Sequence, residues 1–521
     1  NKPIQIYLVK GMQEHYKLLD ITKLKLIGRA EEIKNIGSYL DRTERKISTV
    51  LGIVGDPGSG KTRLGVETAI LAKDRNFITL STRCLPYTAN TAYVAFLNLF
   101  NEYFNIKPTT NEEKKKLLIS MKLKTLGLKL DTTLPYVGVL YGIQFLRLQE
   151  MPPNELKKRI FTVVKQILMK ESERAPLLIR VEDLQWCDPT SIELFTFLLE
   201  DIQDTRFMFL CEYRSDYAFP WIKLTNYKNI TLKNFPRSQV NDYMLQVLDV
   251  EKADPQISET IFDKSQGNPL FVQEIVKYLL KKGGIRRYKG KAIVTSRFKN
   301  IEIAESISGV ILAQIDRMSE AHRHLLQHAS VIGKVFTPRL LSRVMNIPFE
   351  NMQPDLDRLE HFEGVLLSRK EGDVTLYEFL SPTTYEVTYG SLFKTRRKEL
   401  HTVIGNTIEQ DYGERVPEVF EQLAYHFSRS VNKSKGVHFS KLAAEKSYFL
   451  YALKESVNFF GQTLDLLGGK DLTNDEMKMQ LEVLRQQGFV LKILGDFENA
   501  LRRHSTCREL MAVAHHYNRS T

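Results

Sequence analysis

The sequence predicts an α/β P-loop NTPase fold, a parallel sheet flanked by helices, followed by mostly α-helical domains. Three observations carry this reading. Gly55-Asp56-Pro57-Gly58-Ser59-Gly60-Lys61-Thr62 fits G-x-x-x-x-G-K-[ST], a phosphate-cradling loop, and it stands between an apolar run and a helix-like segment. Strand-like and helix-like segments alternate after it. From about Pro417 the chain reads as paired helices, because small and large apolar residues alternate through Ala424, Tyr425, Ala443, Ala444, Tyr451, Ala452, Phe459 and Leu464.

The elements follow in order. Ser48 to Val54 is a short apolar run with the pattern of a buried parallel strand. After the loop, Leu64, Ala69, Ile70 and Leu71 mark a helix. Glycines let the loop curl so that backbone N–H groups and the positive end of that helix converge on an anion. Gly55 through Thr62 are therefore expected to bind ATP or ADP, with Lys61 at the β- and γ-phosphates and the Thr62 hydroxyl on Mg²⁺. Phe77 to Thr82 reads as a second strand, and about 87–170 as a helical insertion or lid. Pro176 to Asp183 is a third strand ending in two acids, and Arg206 to Cys211 a fourth that delivers Arg214. Ligands in such sheets bind beyond the carboxyl ends of the strands. Glu182 is accordingly expected on the metal, Asp183 on the attacking water, and Arg214 on the γ-phosphate or its developing charge. The competing readings are an acidic cap on the next helix and a surface arginine.

Composition bounds the rest. At 521 residues, with 43% hydrophobic and 26% charged residues, the chain is ordinary globular protein with room for about three or four domains. It has no apolar stretch of membrane-spanning length. Cys84, Cys187, Cys211 and Cys507 form no C-x-x-C pair, so neither a zinc site nor a disulfide framework is indicated, and a reducing, cytoplasmic setting is expected. The net charge of +12 is spread over 74 Lys and Arg. Only Lys281 to Lys291 (KKGGIRRYKGK) concentrates it, and a solvated turn or hairpin is favoured there over an arm that binds nucleic acid or an anionic membrane surface. With no signal-peptide pattern at Asn1 and a helical end at Thr521, the chain reads as a piece of a longer protein.

An ordered set of motifs resembles a known family. Leu26-Ile27-Gly28-Arg29-Ala30-Glu31-Glu32, the phosphate loop, Val181-Glu182-Asp183-Leu184-Gln185-Trp186-Cys187-Asp188-Pro189, Glu212-Tyr213-Arg214 and Gly267-Asn268-Pro269-Leu270-Phe271 are similar to STAND-type, AAA-related ATPases. The branch resembled is the one attached to class III nucleotide cyclases of the soluble adenylyl cyclase kind. The resemblance implies that Ile27 and Arg29 bind the nucleotide and that Pro269, on a helical lid, closes over the base. It extends to a winged-helix region, through Ser306 to Leu312, Ala329 to Gly333, Tyr377-Glu378-Phe379, Tyr389, Arg396, Arg397 and His401. One departure is visible: relatives often carry a histidine where Ser381 stands. If that histidine reports on bound phosphate, Ser381 puts this role in doubt here. Gly488 and Gly495 to Ala500 look like a tetratricopeptide repeat. Pro3 to Gly11 resembles the last strand of a class III cyclase domain.

The expected division is 1–20, a cyclase-like tail and linker; 21–235, the ATPase core; 236–300, a helical lid; 301–415, winged-helix-like; and 416–521, incomplete helical repeats. The expected function is an ATP- and Mg²⁺-binding regulatory module, with slow hydrolysis if any. It would control an attached cyclase or gather protein partners through the repeats, with no nucleic acid and no cyclase active site of its own. The rivals are a transcription regulator built on the same ATPase and a nucleotide-locked scaffold without turnover.

Overall fold

The computed structural model describes residues 25–107, 110–371, 374–468 and 472–520. The expected cyclase-like tail, including Pro3 to Gly11, lies outside the described residues. Five strands form the first sheet: β1 (Thr49–Val54), β2 (Ile78–Arg83), β3 (Leu177–Glu182), β4 (Phe207–Tyr213) and β5 (Tyr227–Thr231). Their order is β2-β3-β4-β1-β5, and every pairing is parallel, with Leu51 opposite Leu210 and Leu178 opposite Met208.

Alternation along the strands sends side chains to two cores. Phe207, Phe209 and Cys211 join Val50, Ile179 and Val181 on one face, under the helices Val94–Phe104, Pro153–Arg174 and Pro189–Leu199. Met208 and Leu210 join Leu51, Ile53 and Leu178 on the other, under Ala30–Glu44 and Lys61–Asp74. Both faces are covered, which is why β3 and β4 read as continuous apolar runs. Between β2 and β3 the chain is mainly helical, and these helices supply a layer of this domain and pack on the sheet. The strand β5 escapes sequence reading because it is an edge strand with only Ile230 buried, so no apolar run announces it.

Beyond the sheet, helices Arg237–Leu248, Pro255–Ser265 and Pro269–Lys281 share a core with a small sheet of β6 (Lys252–Ala253), β7 (Ile285–Tyr288) and β8 (Lys291–Val294). The basic run from Lys281 to Lys291 is largely the β7–β8 hairpin. Next come helices Ile307–Ile315, Glu320–Ile332, Pro338–Met345 and Phe349–His361. They are followed by helices Pro382–Gly390 and Lys394–Tyr412. With them stands an antiparallel sheet of β9 (Val335–Phe336), β10 (Leu366–Glu371) and β11 (Val374–Phe379), in the order β10-β11-β9. Ser381 caps the Pro382–Gly390 helix by accepting from Thr384 N at 3.0 Å.

Five further helices, Phe420–Ser428, Lys433–Phe449, Leu453–Leu467, Asn474–Leu494 and Phe497–Ser520, each pack on the next. The small residues Ala424, Ala443 and Ala444 are fully buried where these helices approach closely. One hydrophobic core runs without a break from Met318 to Cys507, across the expected boundary near 415. Among the described residues, no helix is long and apolar enough to cross a membrane.

Candidate nucleotide site

The strand β1 ends at Val54, the glycine loop turns, and the Lys61–Asp74 helix begins at Gly60, whose φ is +96°. At Gly58 φ is +82°, and a Cβ there would stand 2.6 Å from Asn268 Oδ1 and 2.8 Å from Leu270 Cβ. Only glycine permits both the turn and that approach. Lys61 donates from Nζ to the carbonyls of Gly55 at 2.7 Å and Asp56 at 2.9 Å. Burial lowers its pKa from the usual lysine value, and Asp183 and then Glu212 act against that shift.

The acidic end of β3 meets this helix. Thr62 Oγ1 donates to Glu182 Oε1 at 3.0 Å, so the predicted hydroxyl and carboxylate stand side by side. The other oxygen of Glu182 faces Arg83 at 2.8 Å and Arg180 at 3.4 Å. Burial alone would raise the Glu182 pKa, but Arg83 and Arg180 outweigh it and hold the carboxyl down to about 2. It is ionised at any physiological pH. Asp183 follows with φ of +57°, a left-handed conformation that turns the chain out of the strand, and its Oδ1 accepts from Gln185 Nε2 at 3.0 Å.

Three residues of this network went unassigned in the sequence reading. Arg180 lies two positions before Glu182, hence on the same face of β3, and its Nε donates to Glu212 Oε1 at 2.6 Å. Glu212 is fully enclosed on β4, its Oε2 has no hydrogen-bond partner, and burial pushes its carboxyl up to about 7 against the pull of Arg180. A Cβ on Gly65 would fall 1.9 Å from Glu212 Oε1, so the Lys61–Asp74 helix can lie this close to the sheet only with glycine. The signal available in the sequence was a charged residue inside each of two apolar strands. Arg83, at the end of β2, carried no such signal.

Arg214, just past β4, lies 6.0 Å above the Trp186 ring and 3.5 Å from Glu386 Oε1. Arg29 is buried: it donates to the carbonyls of Ser59 at 3.2 Å and Lys233 at 2.8 Å, and stands 5.1 Å over the Phe235 ring. It fastens the glycine loop to the segment leaving β5. Ile27 is half-buried two residues earlier. Pro269 is the first residue of the Pro269–Lys281 helix, and its neighbours hold the loop: Asn268 Nδ2 donates to Pro57 O at 3.0 Å and Leu270 N to Gly58 O at 3.3 Å.

These residues fit a magnesium nucleotide. The loop has the two left-handed glycines and the buried lysine that a polyphosphate needs, and Thr62 with Glu182 offers hard oxygen donors at a helix N-terminus. Among the described residues no cluster of three or more His, Cys, Asp or Glu could hold a metal by itself. Magnesium usually takes only one or two protein oxygens and completes its shell with phosphate and water. Two of the four cysteines do meet, Cys187 with Cys84, and burial pushes the Cys187 thiol up; the four are free.

The parallel order, the glycine loop and the Thr62–Glu182 pair define a P-loop NTPase fold. Residues 25–210 match the family model described as AAA ATPase domain. That match agrees with the resemblance to STAND-type, AAA-related ATPases. An uncharacterized protein of Rhizobium meliloti (strain 1021) is 22% identical over 481 residues, which is 89% of this chain and 45% of that protein. Adenylate cyclase type 10 of Rattus norvegicus is 22% identical over 482 residues, 82% of this chain and 28% of the cyclase. The chain thus spans less than half the length of these curated relatives. Among solved structures, a STAND protein with a tetratricopeptide repeat sensor from Pyrococcus horikoshii aligns with a TM-score of 0.41 and 11% identity, covering 97% of this chain and 79% of that one.

Proposed function

We propose that this chain is a nucleotide-driven regulatory module in which ATP and Mg²⁺ occupy the Gly55–Thr62 loop and set how the regions around the core pack. One observation carries the reading: residues of both downstream regions touch the loop and the strand ends. Asn268 and Leu270 bond the loop carbonyls, while Glu386 pairs with Arg214. A ligand at such a junction shifts packing to the extent that it contacts the alternative arrangements differently.

The roles follow from placement. Lys61 exchanges the carbonyls of Gly55 and Asp56 for phosphate oxygens, and the loop N–H groups hold the anion. Thr62 and Glu182 take the magnesium side, where the bound ion would neutralise phosphate charge. Asp183, turned out of β3, orients the attacking water, and Arg214 stabilises charge on the γ-phosphate. Arg29 keeps the loop seated, Ile27 lies at the approach of the base, and Pro269 starts the helix that closes over it. The region divisions expected near 235, 300 and 415 belong to this reading, as does a reducing, cytoplasmic setting, which the four free cysteines support. The output is control of an attached nucleotide cyclase, as the likeness to adenylate cyclase type 10 supports, or assembly of protein partners on the helical repeats.

Titration with a fluorescent ATP analogue tests the site. Lys61→Ala is expected to abolish binding, and unchanged affinity would sink the assignment. Turnover by the purified chain separates a slow ATPase from a nucleotide-locked scaffold.

A further inference from the structure

Glu182 is held from two sides. Its Oε1 accepts from Thr62 Oγ1 at 3.0 Å, towards the loop, while its Oε2 faces Arg83 at 2.8 Å and Arg180 at 3.4 Å. Arg180 stays inside the core, committed through Nε to Glu212 at 2.6 Å. Arg83 leaves it. From the end of β2 its second terminal nitrogen meets the carboxylate of Glu378, near the end of β11 in the 301–415 region. Glu378 lies opposite Val335 in the sheet, and the neighbouring Lys334 places Nζ 4.0 Å from Glu378 Oε1. The backbone fixes that pairing, since Phe379 N donates to Lys334 O at 3.0 Å.

The result is an alternating row of charges, Glu182, Arg83, Glu378 and Lys334, crossing from the phosphate-loop domain into the next region. Its ends are shielded from water, with Glu182 4% exposed, Glu378 9% and Lys334 4%, while the Arg83 side chain between them is 24% exposed. Charges so placed act strongly on one another and are costly when left unpaired. Arg83 divides its charge between two carboxylates. When Glu378 is present, Glu182 keeps more of its negative charge for a cation on the Thr62 side. When Glu378 withdraws, the whole guanidinium charge falls on Glu182, and the cation is bound less well.

We propose that Arg83 and Glu378 are positioning residues for the Glu182 carboxylate, so that docking of the 301–415 region on the core sets the site's affinity for Mg²⁺. By linkage, magnesium nucleotide strengthens that docking in return. This rests on Glu182 standing on the metal side of the site, as proposed above. It also supplies a route by which the 301–415 region senses the site although Ser381 is engaged as a helix cap.

The test is calorimetric titration of the full chain with ATP in Mg²⁺ and in EDTA, comparing wild type, Glu378→Gln, Arg83→Gln and the double variant. Outer-shell partners of metal ligands are typically worth 10–100-fold in metal affinity. Glu378→Gln should leave affinity in EDTA within about twofold and cut the Mg²⁺-dependent gain about 10-fold. In the Arg83→Gln background the same change should do much less, because Glu378 acts on Glu182 chiefly through Arg83 and only weakly by freeing the charge of Lys334. A Glu378→Gln variant that keeps the wild-type Mg²⁺ gain overturns the proposal, as does an equal loss in both backgrounds. If Glu378→Gln does not fold, Glu378→Asp asks the same question with the charge drawn back by one methylene. A normal Mg²⁺ gain there is equally fatal. A wild-type chain without any Mg²⁺ gain refutes instead the placement of Glu182 on the metal.

Discussion

Where the Leu453–Leu467 helix meets the five-stranded-sheet domain, two buried carboxyls share one helix N-terminus, and their proximity predicts a pH dependence of known sign. Asp188 caps the Pro189–Leu199 helix, its Oδ1 accepting from Ser191 N at 2.8 Å and Tyr93 N at 2.9 Å. Glu455, from the Leu453–Leu467 helix, accepts from Thr190 N at 2.8 Å in the next position. Both side chains are fully enclosed, and Asp188 Oδ2 and Glu455 Oε2 have no partner. Burial and then Glu455 push the Asp188 carboxyl up to about 7, and burial raises Glu455. An acid whose folded pKa is raised binds more protons folded than unfolded, so stability falls as pH climbs from the unfolded value near 4 to about 7 and levels off above it. At about 1.4 kcal/mol per unit, the rise from 3.8 to about 7 corresponds to roughly 4 kcal/mol lost across that window. Glu455→Gln keeps the acceptor for Thr190 and removes one of the two charges. It should raise stability at pH 8 by about 1–2 kcal/mol and flatten the slope between pH 4 and 7. Urea unfolding from pH 5 to pH 8, followed by circular dichroism, reads both quantities. An unchanged slope, or a variant less stable than wild type at pH 8, refutes the shared-terminus reasoning.

Gly58→Ala places a Cβ on a residue with φ of +82° and drives it into Asn268 and Leu270. The backbone alone costs about 1–2 kcal/mol, so nucleotide affinity by fluorescence titration should fall at least about tenfold, and wild-type affinity would contradict the close approach. Arg29→Ala leaves the carbonyls of Ser59 and Lys233 without their guanidinium donor, a loss of about 1–3 kcal/mol that a lowered Tm should register. Asp183→Asn preserves shape but not charge, and is expected to retain ATP binding while losing hydrolysis in a phosphate-release assay. Equal hydrolysis would move the water-orienting role to another group.

The parts of the fold that local chemistry specifies are legible in the sequence. Apolar runs covered on both faces announced β1, β3 and β4, the half-buried edge strand β2 was legible too, each within one or two residues, and the glycine spacing announced the loop. Glu182 and Asp183 were placed by their position after an apolar strand, and the structure does set Glu182 against Thr62. What stayed hidden depends on distant pairing. The polar edge strand β5 is held by hydrogen bonds to β1 rather than by an apolar pattern. Arg83 gains its meaning from Glu378, which no local pattern joins to it. Arg29 was expected at the nucleotide, and its guanidinium is engaged by the carbonyl of Ser59, within the loop itself. Nor did the sequence reveal that one core joins the 301–415 region to the helices beyond it.

The central claim is that nucleotide identity at the Gly55–Thr62 loop changes how the outer regions pack on the core. Hydrogen exchange on the full chain with MgATP, with MgADP and without nucleotide tests it most directly. The account predicts protection of the loop by either nucleotide, together with a difference between them at the start of the Pro269–Lys281 helix and along β11, where Asn268, Leu270 and Glu378 reach the core. Loop protection with identical exchange elsewhere in all three conditions would contradict it.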